Sequence, residues 1–207
     1  NRSAQVIYDN IKEDIYEPIV AKGAEEQSEY IVANTSLEFD EIIKGYAAKL
    51  PQTVSVQELM GTEGMIRQTY YDAFNLILND FEMGSRTKQP PQNEVNALIS
   101  FGNMMCYTLC LRAIHQTQLN PTISFLHTPG ERRYSLALDI AEVFKPVIID
   151  RVIFKVLNKK EIQEKHFDRK LNKCLLNQSG KKIFVKAVED KLLETIKHRT
   201  LNRNVSY

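Results

Sequence analysis

The chain has 207 residues, 43% hydrophobic and 26% charged, with a formal net charge of +1. That balance excludes a disordered or fibrous chain, and the length suffices to bury a core without staples. Three cysteines, Cys106, Cys110 and Cys174, show no CxxC spacing, which argues for free thiols in a reducing compartment.

The N-terminal stretch "NRSAQVIYDNIKED" has no apolar signal-peptide core, and the uncharged run Val95 to Leu111 is short and polar for a spanning helix. A cytoplasmic protein with no membrane contact is expected. In chain order, "AQVIYDNIKEDIYEPIVAKG" reads as a helix interrupted near Pro18, and "SLEFDEIIKGYAAKL" as another ended by Pro51. Ser55 with Glu58 three residues later resembles a capping box, opening a helix that runs amphipathically to Phe81. Gly61 and Gly64 are soft spots in it. Residues 82–92 form a loop punctuated by Pro90-Pro91, and Asn93 caps a long helix from Glu94 to about Gln116. Asn120-Pro121 makes a turn. Residues 135–145 and 147–158 read as two apolar helices broken or kinked at Pro146, and residues 180–200 as a final basic amphipathic helix. No repeat or low-complexity tract is present. The expected class is all-α, one irregular multi-helix domain over residues 1–207 with no sheet of more than two short strands.

The net charge hides an asymmetry. Residues 151–207 hold 15 Lys+Arg against 6 Asp+Glu, a net of +9, while residues 1–150 hold 12 against 20, a net of −8. A basic region on an acidic chain suits a polyanion, although a lysine-rich solvated helix gives the same count.

Three constellations carry possible chemistry. Asp139, Glu142 and Lys145 are the only charges between Leu136 and Ile149, and their i, i+3, i+6 spacing puts them on roughly one helical face. Carboxylates on so apolar a helix need a cation or hydrogen bonds. A hard divalent ion, with the preceding His127 as a nitrogen ligand, is one solution; a wet groove or an internal salt bridge is another. Glu63, Arg67 and Tyr70 form a second polar stripe, with glycines close to Glu63 on both sides that leave room for close approach; an exposed Glu–Arg pair is the plainer alternative. Arg86 and Lys88 lie on a loop where they can hold phosphate, and Asn96 sits in an apolar helix where it needs partners. There is no Walker loop, GxGxxG, GxSxG or HExxH, and His115, His166 and His198 lack metal-ligand spacing.

The segments "LMGTEGMIRQTYYDAF", "RTKQPPQNEVNALISFG", "SFLHTPGERRYSLALDIAEVFKPVIIDRVIF" and "TIKHRTLNRNVSY", in that order, resemble the catalytic helical domain of the CRISPR-associated integrase of spacer acquisition, the Cas-one family. The likeness covers roughly residues 55–207 well and residues 1–54 less distinctively. It implies a Mg²⁺ or Mn²⁺ site made by Glu63, His127 and Glu142, with Asp139 as a supporting carboxylate among the catalytic residues. It implies DNA contacts at Lys145 and at Tyr107, beside those that charge alone suggests for Arg67 and Arg86. It implies a metal-dependent DNA endonuclease and integrase, acting on duplex DNA and integration intermediates. The family's partners are a second copy, as a homodimer, and a Cas-two-type subunit. Family members begin with a β-rich domain and continue beyond "VSY", so a fragment is expected. The rival expectations are a non-catalytic helical DNA-binding or assembly module, and a metal hydrolase acting on a small molecule in an enclosed pocket.

Overall fold

A computed structural model describes residues 41–46, 48–49, 55–125, 134–198 and 203–206. The readings made for the helix around Pro18 and for His127 lie outside these residues. Residues 41–46 and 48–49 are helical, in the segment expected to end at Pro51.

Helix α1, Val56–Asp72, starts where Ser55 accepts a hydrogen bond from the Glu58 amide at 3.2 Å. The cap satisfies one of the amides that a helix start leaves open. The helix breaks at Ala73 and resumes as the short α2, Phe74–Ile77, instead of running to Phe81. Asn158, far along the chain, holds the end of α2. Its Nδ2 donates to the Ile77 carbonyl at 2.9 Å and its Oδ1 accepts from the Asn79 amide at 3.4 Å.

Helix α3, Glu94–Ile114, is the central strut. Asn93 caps it through the Asn96 amide at 2.8 Å. It is long and apolar enough to cross a membrane by length and composition, unlike the expectation of a run too short and polar. Here one side of it is core instead. Val95, Leu98 and Ile99 are fully buried, and Cys106 and Cys110 share a buried face as expected. A β-carbon at Gly102 would come within 2.3 Å of the Ile149 side chain, so the Ile149 side chain packs directly on the α3 backbone there.

That segment is the main departure from expectation. Helix α4, Ser135–Phe144, is not broken at Pro146; it passes through a π-helical turn, Lys145–Asp150, into α5, Arg151–Asn158. Proline lacks the N–H that an α-helical bond would need, and a wider turn accommodates its ring near the start of the π segment. Charged positions on either side of the bulge are thereby re-phased.

After a 3₁₀ turn, Glu164–His166, come strands β1, Phe167–Lys170, and β2, Lys173–Leu176, paired antiparallel with Phe167 opposite Leu176. This hairpin was not expected. It is docked on α3 by the Cys174 amide bonding to the Pro91 carbonyl at 2.8 Å and by the Glu94–Arg169 ion pair. Helix α6, Gln178–Leu193, stops short of residue 200, and Thr195–His198 and Arg203–Ser206 pair as β3 and β4. The described residues are thus mainly helical, with two sheets of two short strands each, and the all-α reading stands.

Candidate functional site: a cationic pocket between α1, α3 and α4

The pocket has a volume of about 210 Å³ and is lined by Glu63, Gly64, Arg67 and Tyr71 of α1, Arg86 and Lys88 of the following loop, Asn103 of α3, and Glu142 and Lys145 where α4 meets the π turn. A β-carbon at Gly61 or Gly64 would meet nothing within 4 Å, so space beside Glu63 is open, as the glycines suggested.

Charges converge in it. Arg67 pairs with Glu63 at 3.3 Å and, across the pocket, with Glu142. Glu142 also accepts from Lys145 Nζ at 2.5 Å. Glu63 and Lys145 are buried to 8% exposure and Arg67 is half-buried, so the Glu–Arg pair of α1 is not the exposed one of the plainer alternative. Burial opposes the Arg67 charge, but Glu142, Tyr71 and Glu63 outweigh it and hold the pKa above its ordinary value.

Asp150 lies deeper, at 2% exposure, and its Oδ1 accepts no hydrogen bond among the described residues. An unbroken α-helix would turn about 800° between Glu142 and Asp150, setting them about 80° apart. A π turn absorbs one residue, which brings the two to within about 20°. Asp150 therefore faces the Arg67–Lys145 side. Burial raises its pKa to about 7, against the pull of Arg67, Tyr70 and Lys145. Tyr71, also buried, hydrogen-bonds toward both Arg67 and Arg86; burial, then Asp150, pushes its phenol upward.

The expected residues fall in different places. Glu63, Arg67, Arg86, Glu142 and Lys145 meet in the pocket. Asp139 does not line it; its Oδ2 accepts the Phe125 amide at 2.8 Å, fixing the chain two residues before His127. The stripe Asp139, Glu142, Lys145 is therefore divided: one carboxylate anchors a loop and the other faces the pocket. Tyr70 belongs to the core, edge-on to Phe74 with ring centroids 5.1 Å apart, and Tyr71 takes the pocket position expected of it. Tyr107 is half-buried against the core and does not line the pocket. Tyr71, Asn103 and Asp150 were not anticipated. The one sequence signal for Asp150 is a lone carboxylate inside "PVIIDRVIF", where burial makes an acid costly.

Among the described residues no group of three His, Cys, Asp or Glu is placed to hold a metal ion. Of the three residues expected as ligands, Glu63 and Glu142 line the pocket and His127 lies outside the described residues. Glu63 and Glu142 converge on a single positive charge, Arg67, and carboxylate oxygens are the donors that hard divalent cations prefer.

Comparison with known proteins gives a consistent answer. The family model described as "CRISPR associated protein Cas1" matches residues 19–190. CRISPR-associated endonuclease Cas1 3 of Thermodesulfovibrio yellowstonii is 54% identical over 171 residues, covering 82% of this chain and 53% of that protein. A solved CAS1 protein from Thermotoga maritima superposes with a TM-score of 0.78 at 38% identity, over 99% of this chain and 59% of that one. A casposase bound to an integration product superposes with a TM-score of 0.77 at 20% identity, over 99% of this chain and 55% of that one, a likeness of fold. The chain spans about half the length of the curated relatives it matches. With a matching family model over most of its length and a relative more than half identical, this chain belongs to the CRISPR-associated Cas1 family.

Proposed function

We propose that this chain carries the catalytic part of a divalent-metal-dependent DNA endonuclease and integrase of CRISPR adaptation, which inserts short DNA fragments into a repeat array by phosphodiester transesterification. The observation that carries the reading is the meeting of Glu63 and Glu142, 79 positions apart (142 − 63), on one guanidinium in an open, cation-lined pocket. Family membership supports it, as does the name endonuclease borne by the Thermodesulfovibrio relative.

Glu63 and Glu142, with His127, would hold Mg²⁺ or Mn²⁺, and a bound ion of this kind supplies Lewis-acid polarisation of a phosphate oxygen and a more acidic attacking hydroxyl. The protein's own groups do the rest. Lys145, Arg86 and Lys88 offer N–H donors to phosphate oxygens, and Arg67 holds the two carboxylates against their mutual repulsion. Asp139 would act from further back, by holding the Phe125 amide two positions before His127 in the sequence. In strand transfer, a 3′-hydroxyl attacks a phosphodiester; one P–O bond forms, one breaks, and the displaced strand leaves with its own 3′-hydroxyl. With water in place of the attacking hydroxyl, the same site nicks DNA.

The partners follow from the reading: duplex DNA and integration intermediates, a second copy as a homodimer, and a Cas2-type subunit, in the cytoplasm. The test is nicking of supercoiled plasmid during Mg²⁺ and Mn²⁺ titration. Metal-dependent nicking, lost in chelator and in Glu63→Gln, supports the assignment. DNA binding without nicking at any metal concentration would favour a non-catalytic DNA-binding module instead, the reading suited to the exposed lysines of α6.

A further inference from the structure

The loop that carries Arg86 into the pocket has no secondary structure of its own, yet one buried side chain fixes it. Asn96 is fully buried on α3. Its Nδ2 donates to the Met83 carbonyl at 3.2 Å and the Ser85 carbonyl at 3.0 Å. Its Oδ1 accepts from the Thr87 amide at 3.0 Å and from Arg86 Nη1 at 2.9 Å. A single amide therefore ties together the chain on both sides of Arg86 and the guanidinium itself. Four residues on, Ser100 Oγ accepts from Arg86 Nη2 at 3.1 Å. Asn103, one turn further, lines the pocket, and its buried Oδ1 has no hydrogen-bond partner among the described residues. Asn96, Ser100 and Asn103 stand at i, i+4 and i+7, so α3 turns one polar edge to this side.

A guanidinium has five N–H donors in a fixed plane. Asn96, Ser100 and the Thr87 carbonyl engage three of those on Arg86. The Nε–H and one Nη2–H remain for Tyr71 and the pocket. Three bonds at one end of a planar group fix where the other end points. An arginine whose only task was to hold the loop would not need to line an open cavity beside Lys88 and Lys145, yet Arg86 does.

We propose that Asn96, helped by Ser100, is a positioning residue for DNA: it orients the Arg86 guanidinium so that the one N–H donor left beside the Tyr71 contact meets a phosphate at the mouth of the pocket. This rests on the DNA-acting reading above and adds to it the residue that sets the geometry. Asn96 itself touches no DNA. Its effect on binding passes through Arg86, whereas a residue that only stabilised the fold would act independently of Arg86.

The experiment is a double-mutant cycle on duplex DNA affinity across a salt series, in chelator so that no metal chemistry enters. Asn96→Ala, Ser100→Ala, Arg86→Gln and the two double variants are measured beside the unaltered chain. Arg86→Gln is expected to weaken binding roughly 3- to 10-fold and to reduce the log–log salt slope by about 0.9, one phosphate contact. Asn96→Ala should do most of the same, Ser100→Ala a smaller part, and both should add nothing in the Arg86→Gln background. Ser100→Ala keeps the test sound if Asn96→Ala unfolds, since it removes one acceptor on a half-buried helix face. Additive losses, or an unchanged salt slope in both variants, would overturn the proposal. Coupled losses in a chain that never nicks plasmid would sustain it while sinking the nuclease reading, and absence of DNA binding in the unaltered chain would sink both.

Discussion

The pocket and the basic C-terminal region hold their charges in opposite ways. In the pocket, Glu63 and Lys145 are buried, Arg67 and Glu142 are half-buried, and each of the four is fixed by another from a different turn or helix. On α6 and the β1–β2 hairpin, Lys170, Lys173, Lys181, Lys182 and Lys186 stand in solvent. One exception there, Arg169 on Glu94, ties the hairpin to α3. Charges that cost desolvation are retained where they are organised against one another, and that organisation is what chemistry at a phosphate needs. Solvated lysines follow a polyanion without geometry, through release of its counterions.

The largest expected break in this contrast is Glu142→Ala. It removes the common partner of Arg67 and Lys145, so plasmid nicking should fall to background. Unfolding free energy should drop by about 1–3 kcal/mol in urea melts, because buried Lys145 loses its counter-charge and half-buried Arg67 keeps only Glu63. Nicking at the level of the unaltered chain would mean that the pocket's ion pairs are structural only.

Asp139→Asn comes next. The carboxylate that holds the Phe125 amide becomes a weaker acceptor. Groups one step removed from a site typically cost 10- to 100-fold, so nicking should fall by about that factor, with a smaller loss of metal affinity than in Glu142→Ala. Equal metal affinity losses in the two variants would place Asp139 among the ligands.

Asp150 sharpens the comparison through pH. Its pKa is raised from 3.8 to about 7 by burial, so the folded chain keeps a proton that the unfolded chain gives up between those values. Its contribution is therefore fully present below the unfolded pKa and is lost as pH rises through 7. Asp150→Asn should stabilise the chain by roughly 1–3 kcal/mol near pH 8 and by little near pH 4. A variant less stable than the unaltered chain near pH 8 would mean that the ionised carboxylate is needed by Arg67 and Lys145.

The smallest effect belongs to the solvated region. Lys181→Glu with Lys182→Glu should flatten the salt dependence of DNA binding while leaving metal affinity unchanged. A slope that does not move would identify α6 as a solvated surface that does not meet DNA.

Much of the fold was legible, and for local reasons. Ser55 and Asn93 announce α1 and α3 because a cap is a short-range hydrogen bond written in adjacent residues. The π turn was not legible, because Pro146 tells only that an α-helical bond is lost, and tertiary packing decides whether the chain breaks or widens. The β1–β2 hairpin escaped because "FDRK" and "KCLL" are short, mostly charged or uniform, and show little alternation. In the site, Glu63, Arg67, Arg86, Glu142 and Lys145 came together as the residue types and the family resemblance suggested. Tyr71 and Asp150 did not stand out, since a one-residue rotation about α1 and a re-phased helix separate them from the positions that simple periodicity indicates. Asn96 was seen to need partners, but which loop it would hold is a non-local fact.

The central claim is that Glu63 and Glu142 belong to one metal site. Mn²⁺ titration of the unaltered chain, followed by electron paramagnetic resonance of the free ion, tests it most directly. One tight site is expected, lost in Glu63→Gln and lost equally in Glu142→Gln, with both variants folded by circular dichroism. A site that survives either substitution at full affinity would contradict it.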